Sequence, residues 1–181
     1  MDDDRNKISA FAFVSPNAIL GTGNVIMEGV IIRDNVVIGD NNYFGPYCII
    51  GEVPEKRGYF TIYGKVRIGS NNRFEKQVTV DSGSENITKI GDGVLMLKSS
   101  HIGHDCEISD NVSISCNAAI GGFTKIGKGT VIGLNATVHQ RLDVPEGCML
   151  GMSSTITKKT VLAPFRKYVG TPARDIGENI R

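Results

Sequence analysis

The sequence predicts an all-β chain wound as a parallel solenoid of triangular coils, and three observations carry that reading. The first is composition: 21 Ile and 16 Val stand against 7 Leu, with 22 Gly and no Trp. β-Branched residues suit a pleated, half-buried surface better than a helix. The second is a period of six. Counting by sixes from Ile8 gives Val14, Leu20, Ile26, Ile32, Ile38, Phe44 and Ile50, and after a break Ile62, Ile68, Phe74 and Val80. A second register runs from Ile90 through Met96, Ile102, Ile108, Ile114, Ile120, Ile126, Ile132, Val138, Val144 and Leu150 to Ile156. The third is a glycine directly after many of these anchors, as at Gly39, Gly103, Gly121 and Gly133.

An α-helix turns about 100° per residue, so six steps carry a side chain off its starting face. A flat strand keeps the face but gives no reason for glycine at a fixed offset. A hexapeptide that makes one short strand and one corner satisfies both, and three of them close an 18-residue coil. Anchors point inward, and successive coils pair as parallel strands about 4.8 Å apart. Four residues after each anchor the chain is small or modest in size, as at Ala18, Val36, Ala118 and Ala136. Cys48, Cys106 and Cys148 share that offset and read as core filler, so neither a disulfide framework nor a zinc knuckle is expected. The abundant glycine is read as tight turns with left-handed backbone.

Two segments break the count. Residues 52–61 put Lys56 where an anchor belongs, and residues 82–88 shift the register with Ser, Gly and Asn. Both read as loops leaving the coil, and loops on a rigid scaffold are where ligand contacts gather. The expected organisation is therefore a solenoid domain over 1–161 with these two loops. A short capping tail follows over 162–181, with one helical turn around Phe165 to Tyr168. At 181 residues this is one domain. Twenty basic against nineteen acidic residues give no reason to expect nucleic acid. The apolar runs, such as Val30, Ile31 and Ile32, are too short to span a membrane. The acidic start, with Asp2, Asp3 and Asp4, is unlike an export signal, so a cytoplasmic location is expected.

All three histidines, His101, His104 and His139, fall in the second register. His104 stands two residues after its anchor. One coil on is Gly122 and two coils on is Gln140, so the three should stack in one corner column. Asp105 adjoins His104. A histidine beside an orienting carboxylate and above a glycine with an open N–H has the parts of a general base and an oxyanion donor. His101, taken alone, reads as a solvated surface residue.

Residues 95–106, which include Met96, His101, His104, Asp105 and Cys106, resemble the catalytic segment of the UDP-N-acetylglucosamine acyltransferases of lipid A synthesis. Thr137, Val138, His139 and Gln140 resemble that family's second His-Gln motif, and residues 49–53 the lead-in to its substrate loop. The likeness covers the solenoid to about residue 155. It implies a left-handed parallel β-helix, with His104 as base, Asp105 as its orienting neighbour and the Gly122 amide as oxyanion donor. It also implies substrate contacts from His101, His139, Gln140 and Glu52, a homotrimer with clefts between copies, and no permanently bound cofactor.

The chain departs from the family in four places. The family's helical carboxyl-terminal domain has no counterpart here, Phe123 stands where a histidine usually follows the oxyanion glycine, and Val80-Asp81-Ser82-Gly83 replaces a basic I-H-R-G segment. Met152 replaces a glycine that leaves room for a long acyl chain, so Met152 is expected to line and shorten the acyl pocket. The V-G-T-P-A-R ending at 169–174 resembles that of short acetyltransferases that use coenzyme A. The reading is acyl transfer, of a short group, from acyl-CoA or an acyl carrier protein to a hydroxyl or amine of a nucleotide-linked sugar. Two alternatives are a γ-type carbonic anhydrase-like metalloenzyme, for which the histidine spacings are unsuited, and a non-catalytic scaffold. No metal is expected.

Overall fold

The computed structural model describes residues 5–58 and 64–180. Within them the chain is all-β and forms a left-handed parallel β-helix with three flat faces. The first face has ten strands, from Lys7–Ile8 to the terminal pair Arg166–Gly170 and Ala173–Glu178. The second has eight, from Phe13–Val14 to Thr155–Ile156, and the third seven, from Ile19–Leu20 to Asp143–Val144. Most strands are two residues long, as one hexapeptide per face requires.

The anchors stack in register. Ile102 pairs with Ile120 and Ile120 with Val138, eighteen residues apart each time. From Ile26 onward the anchors named above that lie in the described residues are at most 3 % exposed. Like side chains sit on like: the Phe44 and Phe74 rings stack with centroids 4.9 Å apart. The expected anchor Ile62 and the start of the chain at 1–4 lie outside the described residues.

Both loops emerge where the count broke, with adjusted bounds. Ile38 pairs with Ile68 and Ile50 with Val80, thirty residues apart rather than eighteen. Twelve extra residues therefore leave after Glu52 and return at Lys65, which is later than the expected end at 61; 59–61 are outside the described residues. Because twelve is two hexapeptides, the six-residue count survives the insertion. Ile68 pairs with Ile90, twenty-two apart, so the second insertion is four residues. It ends before Ile87, not at 88: Thr88 pairs with Val66, is fully buried and accepts a hydrogen bond from the Asp105 N–H through Oγ1, 2.8 Å.

The expected left-handed glycines are present three residues after an anchor, at Gly23, Gly29, Gly93, Gly129 and Gly147, whereas most of those directly after an anchor have a different cause. Gly103, Gly121 and Gly133 have ordinary backbone; a Cβ on Gly121 would lie 2.6 Å from the Gln140 nitrogen of the next coil. Glycine follows the anchor because coils approach closely there. The left-handed residue comes three after the anchor and is often asparagine, as at Asn41, Asn71, Asn111, Asn117 and Asn135, since Asn tolerates that region better than most residues.

A second regularity, inside the coil, escaped the sequence reading. Asn24, Asn42 and Asn72 occupy the inward position four after the anchor and form a buried ladder. Asn42 Oδ1 accepts the Asn72 N–H at 2.9 Å, and Asn42 Nδ2 donates to Asn24 Oδ1 and Gly69 O, both 3.0 Å. These side chains satisfy backbone groups that a tight corner turns inward. Asn42→Ala strands the Asn72 N–H and the Gly69 carbonyl without water, and should cost about 2–4 kcal/mol, read as a lower urea midpoint at unchanged slope.

The tail also differs from expectation. Among the described residues there is no helix around Phe165 to Tyr168. Arg166–Gly170 adds one more parallel rung, with Tyr168 paired to Leu150 and fully buried, and Ala173–Glu178 folds back antiparallel to it. The count by sixes in fact continues past Ile156 through the partly buried Leu162 to Tyr168. The antiparallel return closes the end of the stack, where a bare parallel edge would otherwise invite pairing with another chain. Among the described residues no helix is long and apolar enough to cross a membrane.

Candidate functional site

His104, Gly122 and Gln140 form the expected column at the corner after the second face. The strands His101–Ile102, Ala119–Ile120 and Thr137–Val138 pair in register beneath it. A Cβ on Gly122 would lie 2.8 Å from both Cε1 and Nε2 of His104, so the imidazole edge rests directly against this glycine. Among the described residues the Gly122 N–H donates no hydrogen bond, whereas its carbonyl accepts the Arg141 N–H at 2.9 Å.

His104 is 8 % exposed and its orientation is fixed by Asp105, whose Oδ2 lies 2.7 Å from Nδ1. With Nδ1–H donated to the carboxylate, Nε2 carries the free lone pair toward Gly122. Asp105 is held in turn by the second loop. Its oxygens accept the Ser84 hydroxyl at 2.6 Å and the N–H groups of Ser84, Glu85 and Asn86 at 3.0, 2.9 and 2.6 Å. Burial alone would raise its pKa, but the hydrogen bonds from Ser84, His104, Asn86 and Glu85 outweigh it and hold the carboxyl well below the usual carboxylate range.

Three left-handed residues, Asp105, Phe123 and Arg141, follow one another up this corner with φ near 60°. Such a backbone is unusual for Phe and Arg and belongs to sites where the surroundings over-determine it. The Phe123 ring meets His104 edge-on with centroids 5.0 Å apart, and the Arg141 guanidinium lies 3.9 Å over the Phe123 ring. Lys56 of the first loop approaches the same ring and pairs with Glu85 of the second at 2.7 Å. The two insertions thus join over the corner.

A cleft of about 350 Å³ opens beside His104 and Gly122 and is lined also by His101, His139 and Gln140. His139 and Gln140 are exposed on its rim, with His139 Nδ1 2.9 Å from the Gln140 carbonyl. Five sequence-selected residues therefore converge around one space, with Asp105 behind them. Two do not reach it. Glu52 is locked to Arg33 of the preceding coil, Oε2 to the guanidinium at 2.7 Å, because that register sets the two side chains side by side. Met152 is 71 % exposed at a different corner, between the first and second faces, and does not line this cleft. Its count of twelve beyond Gln140 moves it two corners around the coil.

Sequence reading missed Asp81 and Glu55, which also line the cleft, and Ser84. The signal for Asp81 was present: the position after the anchor on this face reads Ser15, Arg33, Gly51, Asp81, Gly103, Gly121, His139 and Thr157, and Asp81 is the one carboxylate in that column. Asp81 is 4 % exposed, and burial, with Glu55 and Glu52 nearby, pushes it up to about 7. His101 faces it with Nε2 3.9 Å from Oδ2, while its Nδ1 lies 2.9 Å from the Thr79 hydroxyl. Burial lowers the His101 pKa and favours a neutral ring. The ligand atoms of Glu55, Asp81 and His101 lie within 4.8 Å of one another, and among the described residues this trio is the one group so arranged. The three histidines do not form a metal-binding set of their own.

Residues 17–52 match the bacterial transferase hexapeptide (six repeats) family model. The acyl-[acyl-carrier-protein]–UDP-N-acetylglucosamine O-acyltransferase of Campylobacter concisus is 35 % identical over 119 residues, 64 % of this chain and 45 % of the relative. That of Campylobacter lari is 36 % identical over 58 % of this chain and 41 % of its own length, so the matched segments span less than half of these relatives. Among solved structures, the UDP-N-acetylglucosamine O-acyltransferase of Moraxella catarrhalis superposes with a TM-score of 0.84 at 29 % identity, covering 96 % of this chain and 73 % of that one. The UDP-N-acetylglucosamine acyltransferase of Campylobacter jejuni superposes with a TM-score of 0.89 at 30 % identity, over 97 % of this chain and 70 % of that one. With fold, repeat and sequence agreeing over most of its length, the chain belongs to the hexapeptide-repeat UDP-N-acetylglucosamine acyltransferase family.

Proposed function

We propose that the protein transfers an acyl group from a pantetheine thioester to a hydroxyl or amine of a nucleotide-linked sugar of the UDP-N-acetylglucosamine type. The observation that carries this reading is the contact between the His104 ring edge and Gly122, with the ring tautomer set by Asp105. His104 Nε2 takes the proton from the attacking group as it adds to the thioester carbonyl. The Gly122 N–H receives the negative charge that develops on the carbonyl oxygen. The C–S bond then breaks, and the proton held by His104 passes to the departing thiolate. The low dielectric of a buried corner strengthens both contributions.

An apolar groove of about 440 Å³, lined by Thr157, Lys158, Lys159, Thr171 and Pro172, adjoins the cleft and shares His139 with it. It suits the pantetheine arm, with the two lysines placed for phosphate groups. Acyl-CoA or an acyl carrier protein would serve as co-substrate, with no permanently bound cofactor, in the cytoplasm. We place the assembly as a homotrimer with its clefts between copies. Met152 then limits the acyl pocket only where a second copy brings it to the neighbouring cleft.

The test is free-thiol release from acyl-CoA and acyl-carrier thioesters of graded length, each offered with a panel of UDP- and dTDP-linked hexoses and aminohexoses. One pair should turn over, fastest with a short acyl chain. Absence of thiol release with every pair would favour a scaffold.

A further inference from the structure

Glu55, Asp81 and His101 present an array that the transfer step leaves unused. Asp81 is almost wholly buried, yet the one hydrogen bond its carboxylate accepts among the described residues is a 3.5 Å contact from the Glu55 N–H. Nor does it share a proton with His101, because 3.9 Å between Oδ2 and Nε2 exceeds a hydrogen bond. Among the described residues no lysine or arginine pairs with Asp81 or Glu55. A buried carboxylate without a counter-charge is expensive to keep in place. These groups line the same cleft as His104 and Gly122, so what satisfies them comes with the substrate.

We propose that this trio receives the protonated primary amine of an amino sugar, and that this nitrogen is the acyl acceptor. The inference rests on the acyl-transfer reading and selects amine over hydroxyl within it. A nitrogen that donates at about 2.8 Å to three acceptors in tetrahedral directions sets those acceptors roughly 4.6 Å apart. The ligand atoms here lie within 4.8 Å of one another, with one pair at 3.9 Å. Zn²⁺ at about 2.1 Å would draw its ligands to roughly 3–3.5 Å, and the 3.9 Å pair stands between that spacing and the one an ammonium sets, so metal titration is an arm of the test. A hydroxyl has a single proton to donate and would leave two of the acceptors unmet.

The step balances. Asp81 takes one proton from the ammonium and leaves a neutral amine, which turns about its C–N bond so that its lone pair leaves Asp81 and forms the new C–N bond to the thioester carbonyl. His104 removes a second proton from the nitrogen as the tetrahedral adduct forms. Its collapse breaks the C–S bond, and His104 returns that proton to the thiolate. The products are an amide and a free thiol, and Asp81 releases its proton to solvent.

The test compares monoamino UDP-hexoses, with the amine at C2, C3 or C4, against their hydroxyl counterparts, with wild type and the Asp81→Asn and Glu55→Gln variants. Binding is measured by calorimetry and transfer by thiol release. For one amine position, wild type should favour the amine by roughly 10²-fold or more in kcat/KM. Asp81→Asn should lose about 10–100-fold against that amine, with a matching loss in binding, and weaken binding of the hydroxyl counterpart far less. Glu55→Gln should move the same way by less. Equal or better use of the hydroxyl sugar by wild type would overturn the proposal while leaving acyl transfer standing. Amine-selective binding that depends on Asp81, without thiol release, would support the amine site and reject the transfer reading. Titration with Zn²⁺ and Mn²⁺ is the remaining arm: stoichiometric binding abolished by Asp81→Asn would replace the ammonium with a metal ion and overturn the proposal.

Discussion

Replacing His104 with alanine is expected to lower kcat about 10²–10⁴-fold, with KM for the acyl donor little changed and the fold intact. The side chain closes no part of the hydrophobic stack: its contacts are Asp105, the Ser84 hydroxyl, the Phe123 ring and Gly122. Removing it leaves Asp105 bound to Ser84, Glu85 and Asn86, so the loop over the site keeps its anchor. What disappears is the proton acceptor beside the Gly122 amide. That amide is backbone and remains available to the oxyanion, so the variant should retain measurable turnover above the uncatalysed rate. Free-thiol release at saturating donor, together with an unchanged thermal melt, is the measurement. Wild-type turnover by a folded His104→Ala protein would remove His104 from the mechanism.

The period of six made the solenoid legible because each anchor contributes the same physical requirement, an apolar side chain pointing inward once per strand. The corner column of His104, Gly122 and Gln140 followed from that period by counting in coils. What escaped the count depends on loops and on corners. Asp81 was within reach of the count, since Thr79–Asp81 pairs with the His101–Ile102 strand, but Glu55 meets them only because the insertion after Glu52 folds back over this corner, and no periodic argument gives a loop its path. Met152 shows the converse. Distance along the chain was a fair guide within one column and a poor one between columns, since twelve residues is two corners and not a full coil. The asparagine ladder was visible as Asn24, Asn42 and Asn72, but its cause lies in corner N–H groups turned inward, which hydrophobic patterning does not register.

Asp105→Asn should be the most costly single change at the site for stability and should also depress turnover roughly 10²–10⁴-fold by releasing the base from its orientation. Asparagine accepts the left-handed φ of 59° at this position, so the backbone can stay and the change isolates the charge. The carboxylate serves as acceptor for Ser84, Glu85, Asn86 and His104 together. An amide supplies one acceptor oxygen, and its NH₂ turns toward a donor on the other side, for a loss of about 2–4 kcal/mol at neutral pH. The pH dependence has a definite sign. Asp105 is held below the ordinary carboxylate range when folded. Its contribution is therefore complete above the unfolded value of about 4 and fades as pH falls below that toward the folded one. Asp81 is raised when folded and titrates in the opposite sense, but it is present in both proteins and cancels in the difference. Urea unfolding of wild type and variant from pH 8 to pH 3 should show a gap that is constant above about pH 5 and narrows below it. A gap that stays flat to pH 3 would mean the Asp105 charge is not what anchors the loop. Kinetically, His104→Ala combined with Asp105→Asn should turn over no more slowly than His104→Ala alone, because the carboxylate acts through the imidazole. Additive losses in the double variant would instead give Asp105 a direct contact with the reacting atoms.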